Sequence, residues 1–146
     1  MVWAQNGLLG LEGIGALDFA GGDVVHISSG VSALVLCILL GKRCDYDNAT
    51  YRIHNIPTVM LGASLLMFGW FGFNSGSALA ANGQAAHAFM TTAVSAAAAL
   101  LSWMACDIVR NGKPTLIGAC TGIVAGLVGI TPGAVLYRFG QRLLSV

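Results

Sequence analysis

Apolar residues fill four long stretches of the chain, 18–40, 56–80, 85–106 and 116–136, and the short segments between them hold most of its charge. A helix crossing roughly 30 Å of hydrocarbon needs about 20 mostly apolar residues, so each stretch predicts a transmembrane helix. In the second, Leu66, Trp70, Phe73 and Ser77 recur at intervals of four, three and four, which puts two aromatic rings and a hydroxyl on one stripe and leaves Phe71 off it. Such a stripe serves either to pack against a neighbouring helix or to line a passage. In the first, Asp18, Gly22, His26 and Gly30 follow i,i+4 spacing, so a helix running through all four sets glycines, and open space, beside the imidazole. Asp18 stands where an N-cap would, suited to the orphan amides of the first turn. In the fourth, Gly118, Gly122 and Gly126 form a small-xxx-small ridge that asks for a close neighbour, as does the alanine-rich segment 93–99.

Composition agrees with this picture. Hydrophobic residues make up 56% of the chain and charged ones only 9%, with a mean hydropathy of +0.78, well beyond what the core of a soluble domain requires. Residues 1–15 lack a basic start and carry Gln5, Asn6 and Glu12, so they read as a polar loop leading to the first helix and not as a cleavable signal. Lys42, Arg43 and Arg52 fall between the first and second spans, Arg110 and Lys113 between the third and fourth, whereas the leader and the 81–84 connector have no Lys or Arg. The positive-inside rule makes the 42–55 and 107–114 loops cytoplasmic and sends the first helix from outside to inside. The Asn48-Ala49-Thr50 sequon is then cytosolic and unmodified. Arg138 and Arg142 would lie outside, against the trend, which marks 134–146 as a divergent tail.

The chemistry-bearing residues are few. His26 is followed by no charged residue until past Leu40, and an ionisable ring in a transmembrane helix is either a core histidine bonded to a carbonyl or part of a path for an ion or proton. His54 and His87 fall at helix ends and read as solvated. The three histidines form no metal-ligand spacing and no nucleophile–base pair, and Cys37, Cys44, Cys106 and Cys120 form no CxxC, so they read as packing residues. No enzyme activity, metal, cofactor or nucleic-acid partner is predicted.

Three blocks now stand in order: Leu17-Asp18-Phe19-Ala20-Gly21-Gly22 with Val24-Val25-His26-Ile27; Gly69-Trp70-Phe71-Gly72-Phe73-Asn74-Ser75-Gly76-Ser77; and Gly118-Ala119-Cys120-Thr121-Gly122 with Ala125-Gly126-Leu127-Val128-Gly129-Ile130-Thr131-Pro132. Together they resemble the ammonium transporter family (Amt/Mep/Rh), over residues 3–133 and over the middle of a family member only. The resemblance implies an all-α, polytopic membrane helix bundle: part of an eleven-helix fold built as two inverted five-helix repeats, assembled as a homotrimer in the plasma membrane with one pore per subunit. The four spans correspond to about the fifth to eighth helices, so that 1–133 is a partial transporter domain lying across the repeat interface, where transporter substrates usually sit.

The same resemblance assigns roles. Trp3 matches the tryptophan of an outer vestibule that attracts ammonium by cation–π interaction, and Ser77 matches the hydroxyl that accepts a hydrogen bond from the cation. Phe73 matches one of two gating phenylalanines. Trp70 and Leu66 match residues lining the passage below the gate, and His26 matches the first of two facing pore histidines. Asp18 matches a carboxylate near the vestibule with a structural or electrostatic role. Asp23, where a neutral polar residue is more usual, and the longer leader with Glu12 depart from the family pattern without touching these motifs. Bare ammonium is costly to dehydrate in an apolar tube; recruiting it outside, removing the proton near the gate and passing ammonia along histidine nitrogens excludes sodium and potassium, which have no proton to lose. The rival expectation is a non-conducting membrane subunit that docks onto full-length relatives through its small-residue ridges.

Overall fold

The computed structural model describes residues 4, 6–10, 12–44, 46 and 53–136; Trp3, Arg52, the sequon and residues 137–146 of the predicted tail lie outside the described residues. Four α-helices follow in order: α1 (Ser28–Leu40), entered through a π-helical turn (Gly22–Ile27), α2 (Ile56–Gly76), α3 (Gly83–Asn111) and α4 (Leu116–Ile130), which tightens into a 3-10 turn (Thr131–Gly133). The described residues contain no strand. All four helices, with the turns flanking α1 and α4, are long and apolar enough to cross a membrane.

Local chemistry sets the helix ends. Asn55 Oδ1 accepts from Thr58 N–H at 2.9 Å, with Pro57 in the first turn, where its missing N–H costs nothing. Asn82 Oδ1 accepts from Gln84 and Ala85 N–H at 3.0 and 3.1 Å, and Thr115 Oγ1 from Gly118 N–H at 3.0 Å. Gly112, at φ 76°, ends α3 in the left-handed region. These caps shift the expected boundaries. The second span stops at Gly76 and not at residue 80, because the chain turns there, with Leu79 N–H donating to Gly76 O at 2.9 Å. The third starts at Gly83 behind its Asn82 cap and runs to Asn111, past residue 106, where Asp107 Oδ2 accepts from the Thr115 hydroxyl and N–H at 2.6 and 3.2 Å. The first begins at Gly22, so Asp18 precedes the helix and does not share a helical face with His26.

The core lies between α3 and α4. Gly118, Gly122 and Gly126 are all buried. A Cβ on Gly122 would sit 2.8 Å from Trp103 Cβ and 2.9 Å from Ala99 O, and one on Gly126 would sit 2.6 Å from Ser95 O and 2.7 Å from Ala99 Cβ. Ser95 Oγ–H also donates to Gly126 O at 2.8 Å. The glycine ridge and the alanine-rich segment, each expected to need a close partner, are therefore partners of one another, and the faces that meet are not free for docking onto another chain. Close approach without a hydrophobic driving force is what small residues supply inside a bilayer. No residue of α1 is buried, and side chains such as Leu40 (81% exposed) and Phe68 (79%) face outward, as lipid contact requires.

Candidate functional site

One end of the bundle gathers the segment before α1, the end of α2, the start of α3 and the turn after α4. Asp18 organises the first of these: its Oδ1 accepts from the N–H groups of Gly21 (2.9 Å) and Gly22 (2.6 Å), its Oδ2 from those of Asp23 (3.0 Å) and Val24 (3.1 Å). A carboxylate at the positive end of a helix that takes up four orphan amides is bound by both charge and geometry. Gly21, at φ 105°, makes the turn between the carboxylate and the helix. The turn that follows is π-helical, with His26 N–H directed at Gly21 O (3.4 Å); such turns recur at functional sites because the extra residue re-aims a side chain.

His26 is aimed at α2. Its ring centroid lies 5.2 Å from that of Trp70 at an interplanar angle of 30° and 6.0 Å from that of Phe73, while Trp70 and Phe73 meet edge to face at 5.8 Å. The three rings thus form one cluster, with the π-helical turn before α1 supplying the imidazole and α2 the other two rings. His26 Nε2 is buried with no hydrogen-bond partner among the described residues. A polar nitrogen held between apolar rings can accept from, or donate to, a small neutral molecule that passes it. The space expected beside both neighbouring glycines is present only at Gly30; at Gly22 the Pro132 ring occupies it.

The remaining predicted residues divide. Ser77, half-buried at the C-cap of α2, spends its hydroxyl proton on Phe73 O at 2.8 Å, leaving its oxygen lone pairs as acceptors. Leu66, one turn from Trp70 and away from the end of the bundle, lines an apolar groove of about 550 Å³ with Val59, Ala63, Thr121 and Val124. Phe71, off the stripe, stacks on Phe89 of α3 at 4.3 Å and packs the two helices together. His54 is exposed and His87 half-buried in the first turns of α3, and the described residues hold no cluster able to bind a metal.

Sequence reasoning missed the polar residues that hold this end together. Trp70 Nε1–H donates to Thr131 Oγ1 at 2.9 Å, and Asn74, fully buried, donates from Nδ2 to Thr92 Oγ1 at 3.0 Å. Thr91 Oγ1–H reaches Ala134 O at 2.6 Å. The only sequence signal for them was hydroxyls and an amide sitting among apolar neighbours, which names no partner.

The family model described as Ammonium Transporter Family matches residues 1–141. An ammonium transporter of Mycobacterium tuberculosis is 58% identical over 117 residues, covering 80% of this chain and 24% of that protein. One from Bacillus subtilis is 54% identical over 121 residues, covering 83% and 30%. The crystal structure of Saccharomyces cerevisiae Mep2 is similar with a TM-score of 0.77 and 44% identity, covering 87% of this chain and 31% of that one. The chain thus spans between 24% and 31% of the length of these proteins.

Proposed function

This chain belongs to the ammonium transporter family, and from that premise we propose that it supplies one wall of an ammonium-conducting pore, in a multi-pass protein of the plasma membrane assembled as a homotrimer. Ammonium is recruited at the outer end, where the Ser77 oxygen accepts a hydrogen bond and Trp3 offers its π face. The cation gives up its proton to water at the outer mouth near Phe73, and ammonia moves inward past His26 and Trp70 towards the groove at Leu66. Asp18 acts structurally, fixing the turn from which His26 projects.

The observation that carries this reading is the buried Nε2 of His26, without a hydrogen-bond partner among the described residues, beside the Trp70 and Phe73 rings. A buried polar atom without a partner carries a desolvation cost of about 1–3 kcal/mol, and a passing ammonia that bonds to it recovers that cost for the moment of transit. The carbon faces of the two neighbouring rings keep the site too apolar for a hydrated cation.

The test is His26→Ala in the whole protein, produced in cells lacking their own ammonium uptake. The expected result is normal delivery to the membrane with methylammonium uptake reduced at least about tenfold, the loss that corresponds to roughly 1.4 kcal/mol of stabilisation in transit. Uptake at the unsubstituted level, at equal protein amount, would remove His26 from the pore.

A further inference from the structure

Two rings from different helices meet at the pore without a hydrogen bond between them, and ring-to-ring contact alone is a soft restraint, about 0.5–1.5 kcal/mol. What holds them at 5.2 Å lies elsewhere, in two consecutive residues at the end of α4. Thr131 is fully buried. Its hydroxyl proton goes to Leu127 O at 2.7 Å, which leaves Oγ1 only lone pairs to offer, and the indole Nε1–H of Trp70, which can only donate, meets them at 2.9 Å. The polarity of that bond cannot be reversed, so the indole is pinned in one orientation. The next residue holds the other partner. Pro132 O accepts from Phe19 N–H at 2.9 Å, and the Pro132 ring fills the space that a Cβ on Gly22 would need. The segment from Phe19 to Gly22 is the one from which the π turn carrying His26 starts.

We propose that Thr131 and Pro132 are positioning residues that together set the gap between the His26 and Trp70 rings. One planar peptide bond joins them, so the attachment of α2 and the attachment of the α1 entry are referenced to a single rigid point on α4. A shift of either residue changes the width of the passage without touching anything that passes through it. The inference rests on the pore reading above, because a fixed gap matters only if something is conducted through it.

Thr131→Val removes the acceptor at nearly constant volume, and Thr131→Ser keeps it. In the whole protein, at matched membrane abundance, Thr131→Val is expected to lower methylammonium uptake about three- to tenfold, the range of one buried hydrogen bond, and Thr131→Ser to restore most of it. In a Trp70→Phe background, where the indole donor is gone, Thr131→Val is expected to add nothing. Full uptake by Thr131→Val, or a loss that multiplies with that of Trp70→Phe, would overturn the proposal. If Trp70→Phe itself conducts normally, the pore role of Trp70 fails, and the clamp is then read from tryptophan emission after every other tryptophan of the whole protein, Trp3 and Trp103 included, is replaced by Phe: Thr131→Val must shift the emission of Trp70, and an unshifted spectrum sinks the clamp. If Thr131→Val fails to reach the membrane, Gly22→Ala tests the proline arm. It drives a methyl group into the Pro132 ring and is expected to lower uptake several-fold, and undiminished uptake would count against the clamp.

Discussion

At the scale of single residues, Phe71 and Phe73 offer the sharpest contrast, two residues apart on α2 with different neighbours. Phe73 borders His26 and keeps 41% of its surface exposed, whereas Phe71 is stacked on Phe89 of the next helix. Phe73→Ala is therefore expected to leave thermal stability in detergent near that of the unsubstituted protein while changing the rate or selectivity of uptake. Phe71→Ala is expected to lose about 1–3 kcal/mol of stability, the aromatic pair plus part of a packed ring, with transport per folded molecule little changed. Thermal unfolding and methylammonium uptake measured on the same preparations separate the two. Equal transport defects per folded molecule would mean that the stripe is packing and not passage.

At the scale of elements, the ends carry the consequence. Asp18 alone satisfies four amides at the entry to α1, so Asp18→Ala leaves donors that must find water, at a cost of about 1–3 kcal/mol. Asp18→Asn keeps one acceptor oxygen and is expected to recover part of that loss. Membrane abundance and melting temperature rank the three proteins, and an Asn variant no better than Ala would place the effect in the charge. The α3–α4 contact makes a second prediction. Gly126→Val has nowhere to put its side chain and is expected to destabilise the pair, whereas Gly129→Ala, which meets nothing within 4 Å, is expected to be neutral in the same unfolding assay.

These elements also show what a sequence discloses. The four spans were legible because length and apolarity alone decide what crosses a bilayer, and the Leu66–Ser77 stripe was legible because its period is local. The π turn was not, since one extra residue per turn leaves no mark on an i,i+4 pattern, and neither was the break at Gly21, φ 105°, that leaves Asp18 before the helix. The ridge of Gly118, Gly122 and Gly126 was visible, but its partner, Ser95 to Trp103, was not. Thr131 shows the limit most plainly: its bond to Trp70 spans 61 residues of sequence, and nothing near either residue announces the other.

At the scale of the whole molecule, the site constrains how the chain sits in the membrane. His26 near the start of α1, Trp70 and Phe73 near the end of α2 and Thr131 after α4 are brought together at one end of the bundle, so the loops after α1 and before α4 belong to the other. Those loops and the last turn of α3 carry Lys42, Arg43, Arg110 and Lys113, and basic loops are retained in the cytoplasm. The ring cluster is thereby expected in the outer half of the membrane, where a recruited cation would lose its proton before meeting the greater thickness of hydrocarbon. Cys44, exposed in the α1–α2 loop, gives a direct check. In intact cells producing the whole protein with its other cysteines changed to Ser, a membrane-impermeant maleimide is expected to leave Cys44 unlabelled until the cells are opened. Ala81→Cys, in the exposed turn between α2 and α3, placed in a Cys44→Ser background, is expected to label from outside. The reverse pattern would put the rings on the cytoplasmic side and turn the proposed order of recruitment, deprotonation and passage end for end.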